Sequence, residues 1–445
     1  MRELFGTDGI RGKANVYPMT AEIALKIGKA VVKVLSKENE SPRVIIGKDT
    51  RLSGYLFENA LAAGVIAMGG RAIMCGPVPT PTVAHLTKSL NGDAGIVISA
   101  SHNPAEDNGI KIFDKNGFKL PDDVEEQIEQ LVLSDEEMTS EKIGKAQRID
   151  HANGRYIEFA KSSIKSKSLK GLKIALDCSN GAAYNIAPLV FLELGAQVIT
   201  LNNRPNGKNI NLNCGSQHPE VVKAAVLENN CDIGIALDGD ADRVIVVDEK
   251  GNEVDGDKIM AICALELKKQ NKLKNNAVVS TVMSNLGLKK CLEENDIKLI
   301  QTKVGDRYVV EEMRKNNYNF GGEQSGHMIF LDYATTGDGI ISALQLLKIM
   351  KETGKNISEL AKVMQTYPQI LINVNVKEKK PIEELSETSK VIKEIEAELG
   401  KEGRVLVRYS GTQNMARVMV EGKDEESIKI EANKIVDALR EEVGE

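Results

Sequence analysis

Three times in this 445-residue chain a short, wholly apolar run ends abruptly in small and charged residues. Val44-Ile45-Ile46 gives way to Gly47-Lys48-Asp49. Ile96-Val97-Ile98 gives way to Ser99-Ala100-Ser101-His102-Asn103-Pro104, and Ile233 to Leu237 gives way to Asp238-Gly239-Asp240. A short continuous apolar run between turn signals reads as a strand buried on both faces. Such strands need covering helices. Apolar spacing, with Thr20 as N-cap and Glu22 in the first turn, predicts one over 20–35; others are expected over 58–68 and 80–90, with a strand at 72–74. Strands alternating with helices imply a parallel, doubly wound α/β sheet, where ligands gather outside the carboxyl ends of the strands. The polar clusters are thus expected to converge on a cleft. Their likeness does not amount to a sequence repeat.

At roughly 150 residues per domain the chain is too long for one core. A charged, helical and then polar stretch at 121–150 suits the end of a first domain, 1–150. The second, 151–254, opens on a helix near Arg155-Tyr156. It holds strands at 172–177 and 232–237 and a hairpin over 244–254 turned at Glu249 to Asn252. A third α/β unit, 255–367, has helices after Asp257 and Ser284 and a strand at 277–279; Tyr367-Pro368 reads as a linker. From Ile370 the pattern alternates, as in a half-exposed strand. A helix over 382–399, strands near 405–407 and 418–420 and a helix from Glu425 make residues 368–445 a smaller α+β domain.

Lysine and arginine number 58 against 64 acidic residues, a formal net charge of −6 with pI near 5.7. A mildly acidic chain has no global footprint for nucleic acid or an anionic membrane, so anions must be held by local cations. The amino terminus reads as neither a signal nor a transit peptide, and no apolar stretch approaches the ~20 residues that span a bilayer. Six scattered cysteines without a Cys-x-x-Cys pair, and five scattered histidines, fit reduced thiols in a cytoplasmic protein and disfavour a zinc site.

Ser101, at the carboxyl end of its strand, is a candidate nucleophile; the competing reading makes Ser-His-Asn-Pro a simple turn. Asp238, Asp240 and Asp242 place three carboxylates at alternate positions after a strand, a hard-oxygen set for Mg²⁺ or Ca²⁺. With Glu249 they also match positions 1, 3, 5 and 12 of a calcium-binding EF-hand loop. Arg243 where that loop wants glycine, and a strand where it wants a helix, count against this. Gly322-Glu323-Gln324-Ser325-Gly326-His327 brackets polar side chains with glycines, a loop able to hydrogen-bond a polyol. Arg408-Tyr409-Ser410-Gly411-Thr412 with Arg417 joins two guanidinium forks to hydroxyls and backbone N–H groups, a phosphate cradle. No Walker loop and no Gly-x-Gly-x-x-Gly occurs, which disfavours nucleotides. A serine, a metal loop, a polyol loop and a phosphate cradle suit phosphoryl transfer on a sugar phosphate.

In order, Phe5-Gly6-Thr7-Asp8-Gly9-Ile10-Arg11-Gly12, Ile98 to Pro104, Asp238 to Arg243, Val304-Gly305-Asp306-Arg307-Tyr308, Gly322 to His327 and Arg408 to Thr412 resemble the motifs of the α-D-phosphohexomutases over nearly the whole chain. The opening octet and Val304 to Tyr308 resemble most the bacterial branch that acts on glucosamine phosphates; a branch acting on glucose or mannose phosphates is the alternative. The resemblance implies three similar doubly wound α/β domains and a smaller α+β C-terminal domain around a central cleft. It implies a phosphoserine at Ser101 and one Mg²⁺ per chain on Ser101, Asp238, Asp240 and Asp242. Glucosamine 6-phosphate would become glucosamine 1-phosphate by way of a 1,6-bisphosphate, which also primes the enzyme, and the product would feed UDP-N-acetylglucosamine.

The same resemblance gives the remaining roles. Arg11, His102 and Arg243 would face the transferring phosphate. Lys111 would be general acid/base, its pKa lowered by Arg11, with His327 second. Lys303, Asp306, Arg307, Glu323, Ser325 and His327 would bind substrate, and Arg408, Ser410, Gly411, Thr412 and Arg417 the non-reacting phosphate. A hexosamine phosphate is the expected partner, without nucleic acid or membrane, in a homodimer. Ala241 stands where the family often has glycine. Gln413-Asn414 replaces a Glu-Pro, removing a fixed φ and a negative charge, so loop rigidity and phosphate affinity are expected to differ. A sugar-phosphate binding protein needing Mg²⁺ or Ca²⁺ but no nucleophile is the non-enzymatic reading.

Overall fold

The computed structural model describes residues 3–6, 8–35, 41–410 and 414–444. They fall into two compact units, Met1–Met283 with Asp296–Val363, and Ser284–Asn295 with Met364–Glu445. Among the described residues no helix is long and apolar enough to cross a membrane.

The first unit holds three sheets. In the first, Ala94–Ile98, Arg43–Lys48, Arg71–Pro77 and Lys145–Arg148 run parallel, as the apolar runs require. Asp107–Asp114 then returns antiparallel beside Ala94–Ile98, with Ile10–Lys13 outside it. Helices Ala21–Leu35 and Ser53–Ala67 pack together on this sheet over a core that includes Ile27, Val31, Ile46, Leu61 and Ile96. The second helix starts at Ser53, five residues before the expected Glu58. Its first turn carries Tyr55 against Lys48, whose Nζ lies 3.3 Å from the ring centroid, a contact that local propensity does not reveal.

The second sheet sets Lys173–Asp177 parallel between Gln197–Leu201 and Ile233–Leu237, with Val244–Asp248 antiparallel beside the latter and Glu253–Val254 at the edge. In the third, Ala277–Thr281 pairs with Lys298–Thr302 and Phe320–Gly322, and Met328–Phe330 returns antiparallel. One plan therefore recurs: a parallel core strand turns back through a polar loop into an antiparallel neighbour. The loops are 99–106, 238–243 and 323–327. Gly47-Lys48-Asp49, the third cluster expected from sequence, is instead the end of a strand whose chain continues into a helix.

In the second unit Gln369–Asn375, Met415–Glu421 and Arg404–Tyr409 form an antiparallel sheet. Helices Ser386–Leu399 and Glu425–Val443 bury Ile395, Ile428, Ile435 and Leu439 against it. Tyr367 is buried instead of lying in an open linker: its N–H donates to Asn285 Oδ1 at 3.0 Å, and its carbonyl accepts from Asn285 Nδ2 at 2.9 Å.

Candidate active site

Ser101 tops the first hairpin loop with φ of +52°, a conformation that costs a non-glycine residue about 1–2 kcal/mol and persists only where the surroundings impose it. The surroundings are specific. Its N–H donates to Ser99 Oγ at 2.9 Å, and its carbonyl accepts from Asn211 Nδ2 at 2.9 Å and from the fully buried Arg51 at 3.2 Å. Arg51 is paired with Asp49, so the polar end of the Arg43–Lys48 strand serves as a clamp on the Ser101 loop. The hydroxyl donates to Asp238 Oδ2 at 2.5 Å, and the His102 Nδ1 lies 3.4 Å away. Burial, reinforced by Arg243 and Arg11, lowers the His102 pKa to about 4 and leaves the ring neutral.

Asp238, Asp240 and Asp242 present oxygens within 4.8 Å of one another, all buried. Burial, then repulsion from Asp242 and Asp240, holds Asp238 well above the usual carboxylate range. Asp240 Oδ1 and Asp242 Oδ1 are buried without a hydrogen-bond partner. Crowded, incompletely satisfied hard oxygens beside a serine hydroxyl fit a divalent cation of the Mg²⁺ kind. The EF-hand alternative fails: Glu249 accepts from Ser358 instead of turning to the aspartates, and a strand precedes the loop. Lys111, on the return strand, brings its Nζ to 3.0 Å from Asp240, 3.2 Å from Asp242 and 3.3 Å from Asp8. Its pKa is raised, contrary to expectation. Burial opposes the charge and Arg11 opposes it too, but the three carboxylates outweigh both.

Beside the triad opens a cavity of 350 Å³. Arg243, Asp306, Glu323, Ser325 and His327 line it, as does Asp8. His327 Nδ1 faces Asp242 at 3.6 Å, and its Nε2 accepts from the Gly337 N–H at 3.1 Å. Burial resists charge on this ring, while Asp242, Asp306 and Glu323 favour it and raise the pKa. Burial raises Glu323 as well. Arg11 pairs with Asp8 and donates to the Ala100 carbonyl at 3.4 Å; Arg11 Nε and Arg243 Nε are buried without a hydrogen bond, the latter 3.9 Å from Asp242 Oδ1.

Two expected substrate contacts do not come to this cavity. Lys303 is exposed and outside its lining. Arg307 turns away, held by Glu125 at 3.1 Å, by Asp122 and by the Leu120 carbonyl. It faces the Asp122–Leu133 helix because its own helix begins at Asp306 and points successive side chains in different directions. Sequence reasoning passed over Lys119, which pairs with Asp8 and sits 2.5 Å from Asp306, and Thr80, whose hydroxyl donates to Asp240 at 2.6 Å. Neither carries a signal: one is a lysine in a turn, the other opens an ordinary helix. Asp8 was visible only as part of the opening octet.

Within the second unit, Arg408 and Arg417 are direct cross-strand partners. Burial and then Arg417 lower the Arg408 pKa, and Arg417 Nε is buried without a partner. Like charges placed opposite each other are unfavourable unless an anion joins them. Ser410 follows, its carbonyl accepting from Lys379 Nζ at 2.7 Å. Gly411, Thr412 and Gln413 lie outside the described residues.

The chain belongs to the phosphoglucomutase/phosphomannomutase family, the α-D-phosphohexomutases. Models of its alpha/beta/alpha domains I, II and III match residues 2–139, 154–251 and 255–367, and that of its C-terminal domain matches 371–438. Relatives named phosphoglucosamine mutase include those of Geobacter sp., 56% identical over 100% of this chain and 99% of that one, and of Syntrophus aciditrophicus, 55% identical over 100% of both. Among solved structures, a phosphoglucomutase/phosphomannomutase family protein from Burkholderia thailandensis has the same fold, with a TM-score of 0.82 and 24% identity over 99% of this chain and 98% of that one. So has the Aspergillus fumigatus N-acetylphosphoglucosamine mutase solved with GlcNAc-6P and magnesium, at 0.70 and 17% over 99% and 96%.

Proposed function

We propose that this chain is a phosphoglucosamine mutase, interconverting glucosamine 6-phosphate and glucosamine 1-phosphate through a phosphorylated Ser101 and a 1,6-bisphosphate intermediate that also primes the enzyme. One observation carries the chemistry: a strained, buried serine hydroxyl 2.5 Å from one of three clustered aspartates. Full-length relatives named for this reaction support the substrate, ahead of glucose or mannose phosphates. Ser101 Oγ carries the phosphoryl group; its bond to phosphorus breaks as the sugar's 1-oxygen takes its place, and re-forms when the 6-phosphoryl returns. Ser101, once phosphorylated, and Asp238, Asp240 and Asp242 would hold a Mg²⁺, which when bound would supply neutralisation of the charge on the transferring oxygens. Arg11 and Arg243 offer that phosphate Nε–H groups that make no hydrogen bond within the protein, and neutral His102 adds a hydrogen bond without a competing charge. Lys111, which the surrounding carboxylates keep protonated, acts as the acid that gives its proton to the leaving oxygen and is recharged by the proton of the attacking one, with His327 second.

Glu323 and Ser325 bind sugar hydroxyls. Arg408, Ser410 and Arg417, with Gly411 and Thr412, take the non-reacting phosphate. The domains run 1–150, 151–254, 255–367 and 368–445, in a cytoplasmic homodimer that feeds UDP-N-acetylglucosamine synthesis. The test is phosphorus NMR of purified protein with Mg²⁺, a trace of glucosamine 1,6-bisphosphate and glucosamine 6-phosphate, with glucose 6-phosphate in parallel. A new 1-phosphate signal, faster from glucosamine and absent in Ser101→Ala, is expected. Faster turnover of glucose would move the chain to the other branch, and no turnover of either sugar would point first to the Gln413-Asn414 substitution and then to the sugar-phosphate binding protein.

A further inference from the structure

On the far side of the Thr80–Ser89 helix lies a second cavity, of 390 Å³, that the reaction does not use. One wall is that helix, through Ala84, His85 and Lys88; another is the segment holding Tyr333 and Thr335. The third is Phe159, whose ring stacks on His85 at a centroid distance of 3.8 Å and 18° between planes. The volume is that of a small-molecule site, in the range of roughly 300–1,000 Å³, and the lining has the usual character of an apolar, aromatic body with few polar groups. Its charge is one-sided. No acidic residue lines it among those described, Lys88 stands at its rim, and both Lys88 and Arg155 bear on His85. The nearby Asp332 is paired with Lys274 at 3.2 Å.

All three walls run into the reaction centre. The helix begins at Thr80, which donates to Asp240 through its hydroxyl at 2.6 Å and bonds the Asp240 carbonyl through its N–H at 2.9 Å. Thr335 Oγ1 donates to the Gly117 carbonyl at 2.5 Å, two residues before Lys119, and Gly337 holds His327. Phe159 shares its helix with Tyr156, whose hydroxyl donates to Asp338 at 2.7 Å, the residue after Gly337.

We propose that this cavity is a regulatory site for a small aromatic anion, coupled to the reaction centre through its walls. A ligand wedged between the helix and the 333–336 segment changes the positions of Asp240, Lys119 and His327 together. By reciprocity, occupation of the reaction centre changes affinity for the anion. A flat ring lies against the His85 and Phe159 pair, and its charged end meets Lys88.

The probe is 8-anilinonaphthalene-1-sulfonate, an aromatic anion whose fluorescence rises on burial, titrated into the full chain. One saturable phase is expected, weakened at least about tenfold by Lys88→Glu at the exposed rim and removed by Ala84→Trp, which fills the cavity. Circular dichroism establishes that each variant is folded, and Lys88→Glu stands as the binding test should Ala84→Trp not fold. Saturating probe is expected to change wild-type turnover of glucosamine 6-phosphate by at least about twofold. Lys88→Glu should keep the basal rate and lose the response. Absence of a saturable phase, binding untouched in folded variants, or binding without effect on turnover would each overturn the proposal. The fluorescence arm does not depend on the reaction assigned to Ser101, so the two readings fail separately.

Discussion

Ala241 holds φ of +56° between two aspartates of the metal loop and is fully buried. A glycine there would relieve roughly 1–2 kcal/mol of left-handed strain. It would forfeit about 0.8 kcal/mol of buried methyl and about 0.5–1 kcal/mol through glycine's greater freedom in the unfolded chain. These effects nearly cancel, so Ala241→Gly should leave the urea unfolding free energy within about 1 kcal/mol of wild type; a loss beyond about 2 kcal/mol would refute the balance. Gly337 is the opposite case. A Cβ on it would lie 2.3 Å from His327 Nε2 and 2.5 Å from two ring carbons, so the imidazole must leave its place between Asp242 and Asp306. Gly337→Ala should lower kcat about 10–100-fold, as displacement of a positioned group by about 1 Å does, with far-ultraviolet circular dichroism unchanged. Undiminished kcat would mean that His327 has no part in the reaction.

Helix pairing is governed by glycines of another kind. A Cβ on Gly28 would come within 2.4 Å of the Leu61 carbonyl oxygen, and one on Gly64 within 2.2 Å of the Leu25 carbonyl oxygen, so the 21–35 and 53–67 helices touch through bare backbone. Alanine is the better helix former by about 1 kcal/mol, yet it would force the helices apart at a cost of about 1–3 kcal/mol. Gly28→Ala and Gly64→Ala should therefore each lower stability in urea titration by up to about 2 kcal/mol, and a stabilised variant would show that the contact yields. These elements also show what a sequence can reveal. Strands 43–48, 94–98 and 233–237 were legible because burial on both faces leaves an unbroken apolar run. The return strand Asp107–Asp114 was not, although it too is buried: Lys111 reaches the aspartates and Asn108 bonds Ser53, and both break the apolar pattern. Ser101 and the three aspartates were legible as an outlying chemistry at strand ends, and the family motifs supplied Glu323 and His327. The Arg408–Arg417 register and the Lys119, Arg51 and Asn211 contacts depend on tertiary pairing, which no local window contains.

Across the whole molecule, burial decides which groups titrate and react. All six cysteines are buried and free, and burial raises every thiol, those of Cys75, Cys214 and Cys263 to about 12. Ellman's reagent at about pH 8 should find no fast thiol in the native protein and six after unfolding in guanidinium; a fast native thiol would contradict the buried, reduced reading. The half-buried His85 and the buried Asp338 act on acid stability with opposite sign. Burial, with Lys88 and Arg155, lowers the His85 pKa from 6.5 to about 4. Between these values the unfolded chain binds a proton that the native one refuses, so His85 makes stability fall as pH falls. Burial raises Asp338 from 3.8 to about 6, against the opposing bonds from Ile341 and Tyr156. Over nearly the same window the native chain binds the proton and the unfolded one does not, so Asp338 makes stability rise as pH falls. Each effect is at most about 3 kcal/mol, and nearer 1 kcal/mol for His85, which keeps partial contact with water. Unfolding free energies at several pH values from about 6.5 to 4.5 should separate them. His85→Gln should become more stable relative to wild type on acidification. Asp338→Asn, whose amide oxygen still accepts from the Ile341 N–H, should become less stable. Parallel curves for all three proteins would mean that neither group's proton affinity changes on folding.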